Sequence, residues 1–415
     1  MKILAYTSPA RGHLYPLVPT LDELAARGHS VAVRTLSPAV ETMSSHGFDA
    51  APIAARIEAI EHDDYHGRTP VSRLDRTMKT FGARALEEVA DLRAAIAELE
   101  PDALLIDCMT WGAASVAEAW DGPWAQWFPY PMPLPSRDVP PFGPGLKPAK
   151  GPLGRARDAI LRRMITSSFT RATLPQVNAA RRAAGVPRFR SAVELLTRPA
   201  LLLYMTAEPF EYPRSDWPAC VKMVGPGAWD PPSDPPAWLE EIRQPLVLVS
   251  TSSEFQDDGR LVRVTLDALA DEDVFVVATL PSAAIPDLVP ANARVERFLA
   301  HGPILQRAAC AVTHGGAGVT QKALAAGVPV CVVPFGRDQM EIARRVEVAG
   351  AGTRLPANRL RAGRLRVAIS EAMTMREGAQ RVANGYAATG GAGAAADAVE
   401  ELVATWPAAS AALPG

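Results

Sequence analysis

Two stretches of this chain combine residue types that can do chemistry with the spacing such chemistry needs. In "VTHGGAGVTQKALAAGVPVCVVPFGRDQ", residues 312–339, His314 closes an apolar run, Gly315, Gly316 and Gly318 follow it, and a helical pattern continues from Thr320 to Ala326. A helix N-terminus preceded by residues without side chains exposes backbone N–H donors and the positive end of the helix dipole, so a diphosphate can come close. Used structurally, the same glycines make only a tight strand-to-helix turn. Downstream, Asp338 and Gln339 lie just past the next apolar run, at the edge where open α/β sheets bind ligands. A carboxylate beside an amide that donates and accepts suits vicinal sugar hydroxyls, and capping the next helix is the plainer use of the pair. The second stretch, "SPARGHLYP" at 8–16, sets His13 beside Gly12 after the apolar run Ile3 to Tyr6. Its imidazole is predicted at the carboxyl end of a first strand, with a helix starting near Tyr15 and Pro16, where proline suits the first turn.

Parallel sheets are needed to hold these residues. Short apolar runs alternate with helical patterns at Lys2–Tyr6, Ser30–Leu36, Ala103–Asp107, Trp124–Phe128 and Ala200–Met205, then again at Leu246–Ser250, Val274–Leu280, Arg294–Leu299, Cys310–Thr313 and Val328–Pro334. The alternation predicts an α/β fold of two doubly wound, Rossmann-like halves. Between the two series, the Pro- and Gly-rich stretch 224–245 reads as a connector that sets their relative position. The 415 residues exceed one ordinary core, so two domains of roughly 100 to 200 residues with a cleft between them are expected. A second proline-dense segment, 128–148, cannot be regular structure, because proline lacks the N–H that ladders and helices require. It carries more apolar surface than a solvated loop should. Near the end, Val399, Leu402 and Val403 fall at helical spacing and predict a terminal helix, with residues 407–415 frayed.

Composition narrows the partners. With 48% hydrophobic and 21% charged residues and a formal net charge of -2, the chain reads as soluble and globular, with no electrostatic reason to expect nucleic acid or an anionic membrane. No apolar run approaches the roughly 20 residues that span a bilayer, so neither signal peptide nor integral membrane segment is expected, and the location expected is cytoplasmic. Cys108, Cys220, Cys310 and Cys331 show no metal-ligand spacing and read as core thiols. His62, Asp63, Asp64 and His66 lack helical or strand support and read as a solvated loop, not a metal site. Asp257 and Asp258 read as N-terminal charges of a helix starting near Gly259.

The motifs "HGGAG", "AAGVP" and "PFGRDQ", with "SPARGHLYP" at the front and "LLID" at 104–107, give the chain a resemblance over nearly its whole length. It resembles the GT-B glycosyltransferases of family 1 type that tailor bacterial antibiotics and macrolides. That resemblance implies that residues 1–223 form an N-terminal acceptor-binding domain and 246–393 a C-terminal domain binding the nucleotide sugar, while 394–415 cross back to the first domain. By position, it implies that His314 and the amides of Gly315, Gly316 and Gly318 cradle the diphosphate together with Ser252 and Ser253. It places Phe298, Leu299 and His301 around the nucleoside base, and Asp338 and Gln339 on the donor sugar. Lys322 stands where the plant-type motif has a glutamate for ribose hydroxyls, so thymidine diphosphate becomes at least as good a donor as uridine diphosphate. Met109, Trp127, Phe128, Tyr130, Met132 and Phe142 are expected to line a greasy acceptor pocket.

The resemblance also assigns Asp107 as partner to His13. A helix N-terminus disfavours an imidazolium and a carboxylate favours it, so the pair is expected to be a poised general base. His13 would take the acceptor's proton, Asp107 would fix the tautomer, and one displacement would invert the anomeric carbon. Protein donors would meet the charge of the leaving diphosphate, so no metal and no cofactor is expected, the nucleotide sugar being a co-substrate. The partners expected are then the donor, a hydrophobic small molecule offering an O, N or C nucleophile, and a second copy in a homodimer. Two alternatives stand beside this reading. One is a GT-B transferase acting on a lipid-linked cell-envelope acceptor, for which the basic stretch Arg155 to Arg163 is weak support, and the other is a nucleotide-sugar-binding pseudoenzyme.

Overall fold

Runs of Val, Leu and Ile buried on both faces are what parallel strands require, and here they build two sheets. The computed structural model describes residues 1–253 and 258–411, apart from the side chains of Pro70 and 407–411. Asp257 lies outside the described residues.

The first sheet contains β1 (Lys2–Tyr6), β2 (Ser30–Thr35), β3 (Asp49–Pro52), β4 (Ala103–Asp107), β5 (Trp124–Phe128), β6 (Leu201–Tyr204) and β7 (Val221–Met223), in the order β3-β2-β1-β4-β5-β6-β7. The second contains β8 (Leu246–Ser250), β9 (Phe275–Thr279), β10 (Ala293–Glu296), β11 (Ala308–Thr313), β12 (Val330–Val332) and β13 (Gly352–Arg354), in the order β10-β9-β8-β11-β12-β13. Every pairing described is parallel. Strands β3, β7 and β13 went unread in the sequence because they are short edge strands and lack the apolar run of a buried one. In each sheet the strand order reverses once, between β1 and β4 and between β8 and β11. Connections on either side of such a point diverge to opposite faces and leave a crevice at the carboxyl ends, which is where ligands enter this architecture.

The first helix, Arg11–Ala26, starts four residues earlier than expected, from the extended residue Ala10. Pro16 and Pro19 therefore lie inside it. Pro16 forfeits one hydrogen bond to the carbonyl of Gly12, but the turn before it is already closed by His13 and Leu14, whose amides both donate to the Ala10 carbonyl at 3.0 and 3.2 Å. His13 is thereby a residue of the first helical turn and not of the loop before it. The terminal helix, Gly391–Ala411, returns to the first sheet: Ala395, Ala396, Val399 and Leu402 share a core with Leu14, Leu17 and Leu21. Arg27 ties it down through Asp397 and Glu400, both at 2.7 Å. It stays helical through 407–411, where fraying was expected.

One buried charge cluster joins the segment after β6 to the second sheet. Glu211, fully buried, binds Arg345 of helix Gln339–Val348 at 2.9 Å and accepts the hydroxyl of Tyr204. Burial pushes the Glu211 carboxyl up, but Arg345 and Arg214 outweigh it and hold the group below its ordinary value. Its stabilisation is therefore complete above the ordinary carboxyl range and is lost as pH falls through the lowered value. Glu211→Gln should lower stability in a neutral urea or thermal melt by about 1.5–3 kcal/mol, because Arg345 loses one of its two buried carboxylates and keeps only Glu341. The deficit should shrink as the melts are repeated at pH values falling below the ordinary carboxyl range, as wild-type Glu211 in turn becomes protonated.

Candidate active site

The carboxyl edges of the two sheets face one cleft of about 1220 Å³. On the first sheet, β1 and β4 are neighbours in register at Tyr6 and Ile106, so the next residue of β4, Asp107, ends level with the turn that leads into the first helix. Asp107 is fully buried. Its Oδ1 accepts from His13 Nδ1 at 2.8 Å and from the Met109 amide at 3.0 Å, and its Oδ2 accepts from the Ser8 amide at 2.9 Å and the Ser8 hydroxyl at 2.6 Å. Burial pushes this carboxyl up, yet His13, Ser8 and Met109 together hold it below its ordinary value, so it is ionised. A carboxylate on Nδ1 makes that nitrogen the donor and leaves Nε2 as the basic one. His13 is 17% exposed, lines the cleft, and lies with its ring 5.6 Å from that of Tyr130. Its backbone carbonyl accepts from the Trp127 indole at 3.1 Å.

Asp107, His13 and Cys108 also bring three ligand-type atoms within 4.8 Å of one another. A metal there would need the Cys108 thiolate, and burial and the Asp107 charge push that thiol well up. The trio fits proton transfer better than cation binding.

Across the cleft, the second switch point holds the glycine motif. Gly315 turns the chain at φ 93, in the left-handed region that favours glycine, and its amide donates to Thr313 Oγ1 at 3.2 Å. Gly315 therefore shapes the turn and is not the phosphate donor expected of it. Gly316 caps helix Ala317–Ala325 and lets the imidazole of His314 lie against the backbone, since a Cβ there would sit 2.5 Å from Nε2. The open amides of the first helical turn belong to Ala317, Gly318 and Val319, all three of which line the cleft. Ala317 and Val319 were not anticipated, because only glycine advertises the role in sequence. His314 Nδ1 lies 3.4 Å from the Ser250 carbonyl, and burial, with Arg337 nearby, lowers its pKa and keeps it neutral. Ser253 is exposed at the cleft, whereas the Ser252 amide donates to Asp258 at 2.7 Å. Asp258, expected merely to decorate a helix start, is buried and braces this loop.

The Asp338 and Gln339 pair divides. Asp338 lines the cleft, and burial pushes its carboxyl up to about 6, with Arg337 and His13 pulling it down. The His13 imidazole thus acts on Asp338 from the opposite sheet. Gln339 is buried, and its Oε1 accepts from the amides of Phe335 at 2.7 Å and Gly336 at 2.9 Å, so it shapes the loop that presents Asp338. Phe298, Leu299 and His301 line the far end of the cleft, Phe298 with 54% of its surface exposed. His301 bonds Thr279 Oγ1 at 3.0 Å, and burial lowers its pKa to about 4. Lys322 is engaged by the Trp229 carbonyl at 2.7 Å and Asp230 at 2.6 Å.

On the acceptor side, Met109, Phe128, Tyr130 and Phe142 line the cleft as expected. Trp127 and Met132 do not: both are fully buried, Trp127 behind the first helix on the face of β5 opposite to Phe128, and Met132 in the core cluster that holds Phe128 and Tyr204, beneath the cleft wall and not on it. The loop around Asp64 is not merely solvated either. Asp64 is buried and pairs with Arg337 of the opposite sheet at 3.0 Å, closing one end of the cleft.

The residue sequence reading missed is Glu88. With Phe81 and Arg84 it faces the cleft from helix Pro70–Leu99, at a three- and four-residue spacing that periodicity alone could have revealed. Its Oε2 accepts from the Gly112 amide at 2.9 Å, and burial pushes the carboxyl up to about 8.

Residues 263–402 match the protein family described as "Erythromycin biosynthesis protein CIII-like, C-terminal domain". The chain is 33% identical over 423 aligned residues to 4'-demethylrebeccamycin synthase of Lentzea aerocolonigenes, covering 97% of this chain and 99% of that protein. Among solved structures it is similar to the glycotransferase of kitacinnamycin, with a TM-score of 0.74, 24% identity and coverage of 97% and 98%. It is also similar to a Streptomyces sp. SF2575 glycosyltransferase complexed with thymidine diphosphate, with a TM-score of 0.68, 19% identity and coverage of 97% and 99%. These two likenesses establish the fold. Among the described residues no helix is long and apolar enough to cross a membrane.

Glu88 carries a pH signature. Its folded pKa lies above the unfolded value, so between about 4.5 and about 8 the unfolded chain ionises while the folded one stays protonated, and stability falls as pH rises. Glu88→Gln should match wild type in melts near pH 4 and become the more stable protein by several °C near pH 8, with no further gain above that.

Proposed function

The chain belongs to the GT-B glycosyltransferases of bacterial natural-product tailoring, and we propose that it moves a sugar from a thymidine or uridine diphosphate donor to a nucleophile on a hydrophobic, aromatic acceptor, with inversion. One observation carries this reading: the His13–Asp107 pair and the open helix N-terminus at Ala317 face each other across a single cleft.

The acceptor lies against Phe128, Tyr130, Phe142 and Met109, a wall whose apolar area favours a flat, poorly hydrated molecule. Its hydroxyl proton passes to His13 Nε2 while the oxygen attacks the anomeric carbon from the face opposite the diphosphate. As that bond forms, the bond from the anomeric carbon to the diphosphate oxygen breaks, and the electron pair leaves with the nucleotide. Asp107 stabilises the imidazolium formed in this step and keeps its own proton-free state. The leaving charge meets the amides of Ala317, Gly318 and Val319, the Ser253 hydroxyl and His314, so protein donors do the work a metal would otherwise do. A neutral His314 gains proton affinity when a dianion arrives beside it, which makes it a donor when needed. Asp338 accepts from the hydroxyls of the donor sugar. Lys322, a cation held by Asp230 where a carboxylate would grip both ribose hydroxyls, favours the deoxyribose of thymidine diphosphate.

Thymidine diphosphate, and more weakly uridine diphosphate, should raise the melting temperature of the purified protein, and NAD should not; the shift follows site saturation. His13→Ala should keep that shift and lose transfer from dTDP-glucose by roughly 10²–10⁴-fold. Transfer retained at the wild-type rate would place the base elsewhere. EDTA should leave the wild-type rate unchanged, and NMR of the product should show the inverted anomer.

A further inference from the structure

The tip of the proline-rich loop after β5 does not rest on its own sheet. The amides of Gly143 and Gly145 both donate to Glu341 Oε1 at 2.8 Å, and the Gly145 carbonyl accepts from Arg344 Nε at 2.7 Å. Lys147 adds an ion pair to Glu347 at 2.7 Å. All three partners lie on helix Gln339–Val348 of the second sheet. Contact is tight: Gly145 adopts φ 59, and a Cβ on it would meet the Met340 carbonyl oxygen at 2.4 Å. Glu341 is 2% exposed, and its second oxygen binds Arg345 at 2.9 Å, which in turn holds Glu211. A carboxylate this buried stays in place only if both oxygens keep strong donors.

The two ends of this arrangement matter for the reaction. Helix Gln339–Val348 begins at Asp338, and the loop it holds presents Phe142 to the acceptor side of the cleft. Resting on the transferase reading above, we propose that Glu341 is a positioning residue: it fixes the acceptor wall to the helix that starts at the donor-sugar residue, so that the two substrates are set in line by one rigid connection. Glu341 touches neither substrate. The acceptor wall is thus borrowed from the first sheet but registered on the second, and its placement relative to the anomeric carbon is independent of small motions between the sheets. A misplacement of about 1 Å in such a wall costs on the order of a hundredfold in rate.

The test compares wild type, Glu341→Gln and Gly145→Ala, the last of which pushes the loop off Met340 without changing charge. With dTDP-glucose and the phenol 4-methylumbelliferone, both variants should raise KM for the phenol about tenfold and lower kcat, with KM for dTDP-glucose nearly unchanged. Hydrolysis of dTDP-glucose relative to transfer should rise, since a misplaced acceptor lets water compete. In hydrogen exchange, the amides of Gly143 and Gly145 should lose protection together in both variants while the thymidine diphosphate melting shift persists. Lower melting temperature with an unchanged KM for the phenol and an unchanged hydrolysis ratio would show a structural brace only and overturn the proposal; so would unchanged exchange at the two glycines. A wild-type protein that transfers no glucose but shows the exchange difference would count against the transferase reading and leave the loop's placement standing.

Discussion

A carboxylate without any exposure to water sets the terms for the rest of this molecule. Stripped of donors, Asp107 would cost several kcal/mol or give up its charge. The turn after β1 removes that cost by folding Ser8 onto one oxygen and His13 onto the other, and the amide of Met109 completes the set. The bonds that make the buried charge tolerable also fix the imidazole, its tautomer and its aim into the cleft. Stability and chemistry here are one arrangement seen twice, and the early helix start at Arg11 is its backbone consequence.

The second sheet repeats the geometry with the opposite electrical sense. At the β8–β11 switch point it presents amides, a neutral imidazole and a hydroxyl, all of them donors or groups that become donors beside an anion. The cleft therefore runs from a proton acceptor on one lip to an anion receiver on the other, which is the polarity that displacement of a diphosphate by a hydroxyl requires. Charges that pair between the two halves keep the lips in register: Arg337 with Asp64, and Arg345 with Glu211. The buried pairs gain from a low-dielectric setting, where they are hard to dissolve by salt.

Much of the site was legible because its parts are local in sequence. A glycine next to a histidine after an apolar run, or an acidic residue just past a strand, records a turn that must occur within a few residues, so His13, His314, Gly318 and Asp338 could be singled out before any coordinates. What failed was orientation. Gln339 and Gly315 stand one residue from groups that face the cleft and turn their own polar atoms into the loop instead. Trp127 and Met132 were grouped with their aromatic neighbours by composition, although strand alternation sends Trp127 to the other face and Met132 is packed into the core beneath Phe128. Glu88 escaped because its helical spacing with Phe81 and Arg84 marks only a shared face: burial against the first turn of the helix from Trp111 to Ala119 is what makes its carboxyl unusual.

The chain's own order of residues determined the two sheets, the switch points and the identity of the groups at each strand end, since apolar period, proline and glycine act over a few residues at a time. Tertiary structure alone decided which of those groups meet. Asp107 reaches His13 across 94 positions, Arg345 reaches Glu211 across 134 and Glu341 reaches Gly143 across 198. Such pairings are chosen by the burial of charge, whose large unpaired cost is felt only when the surrounding water has been removed, and that removal is an event of the whole fold.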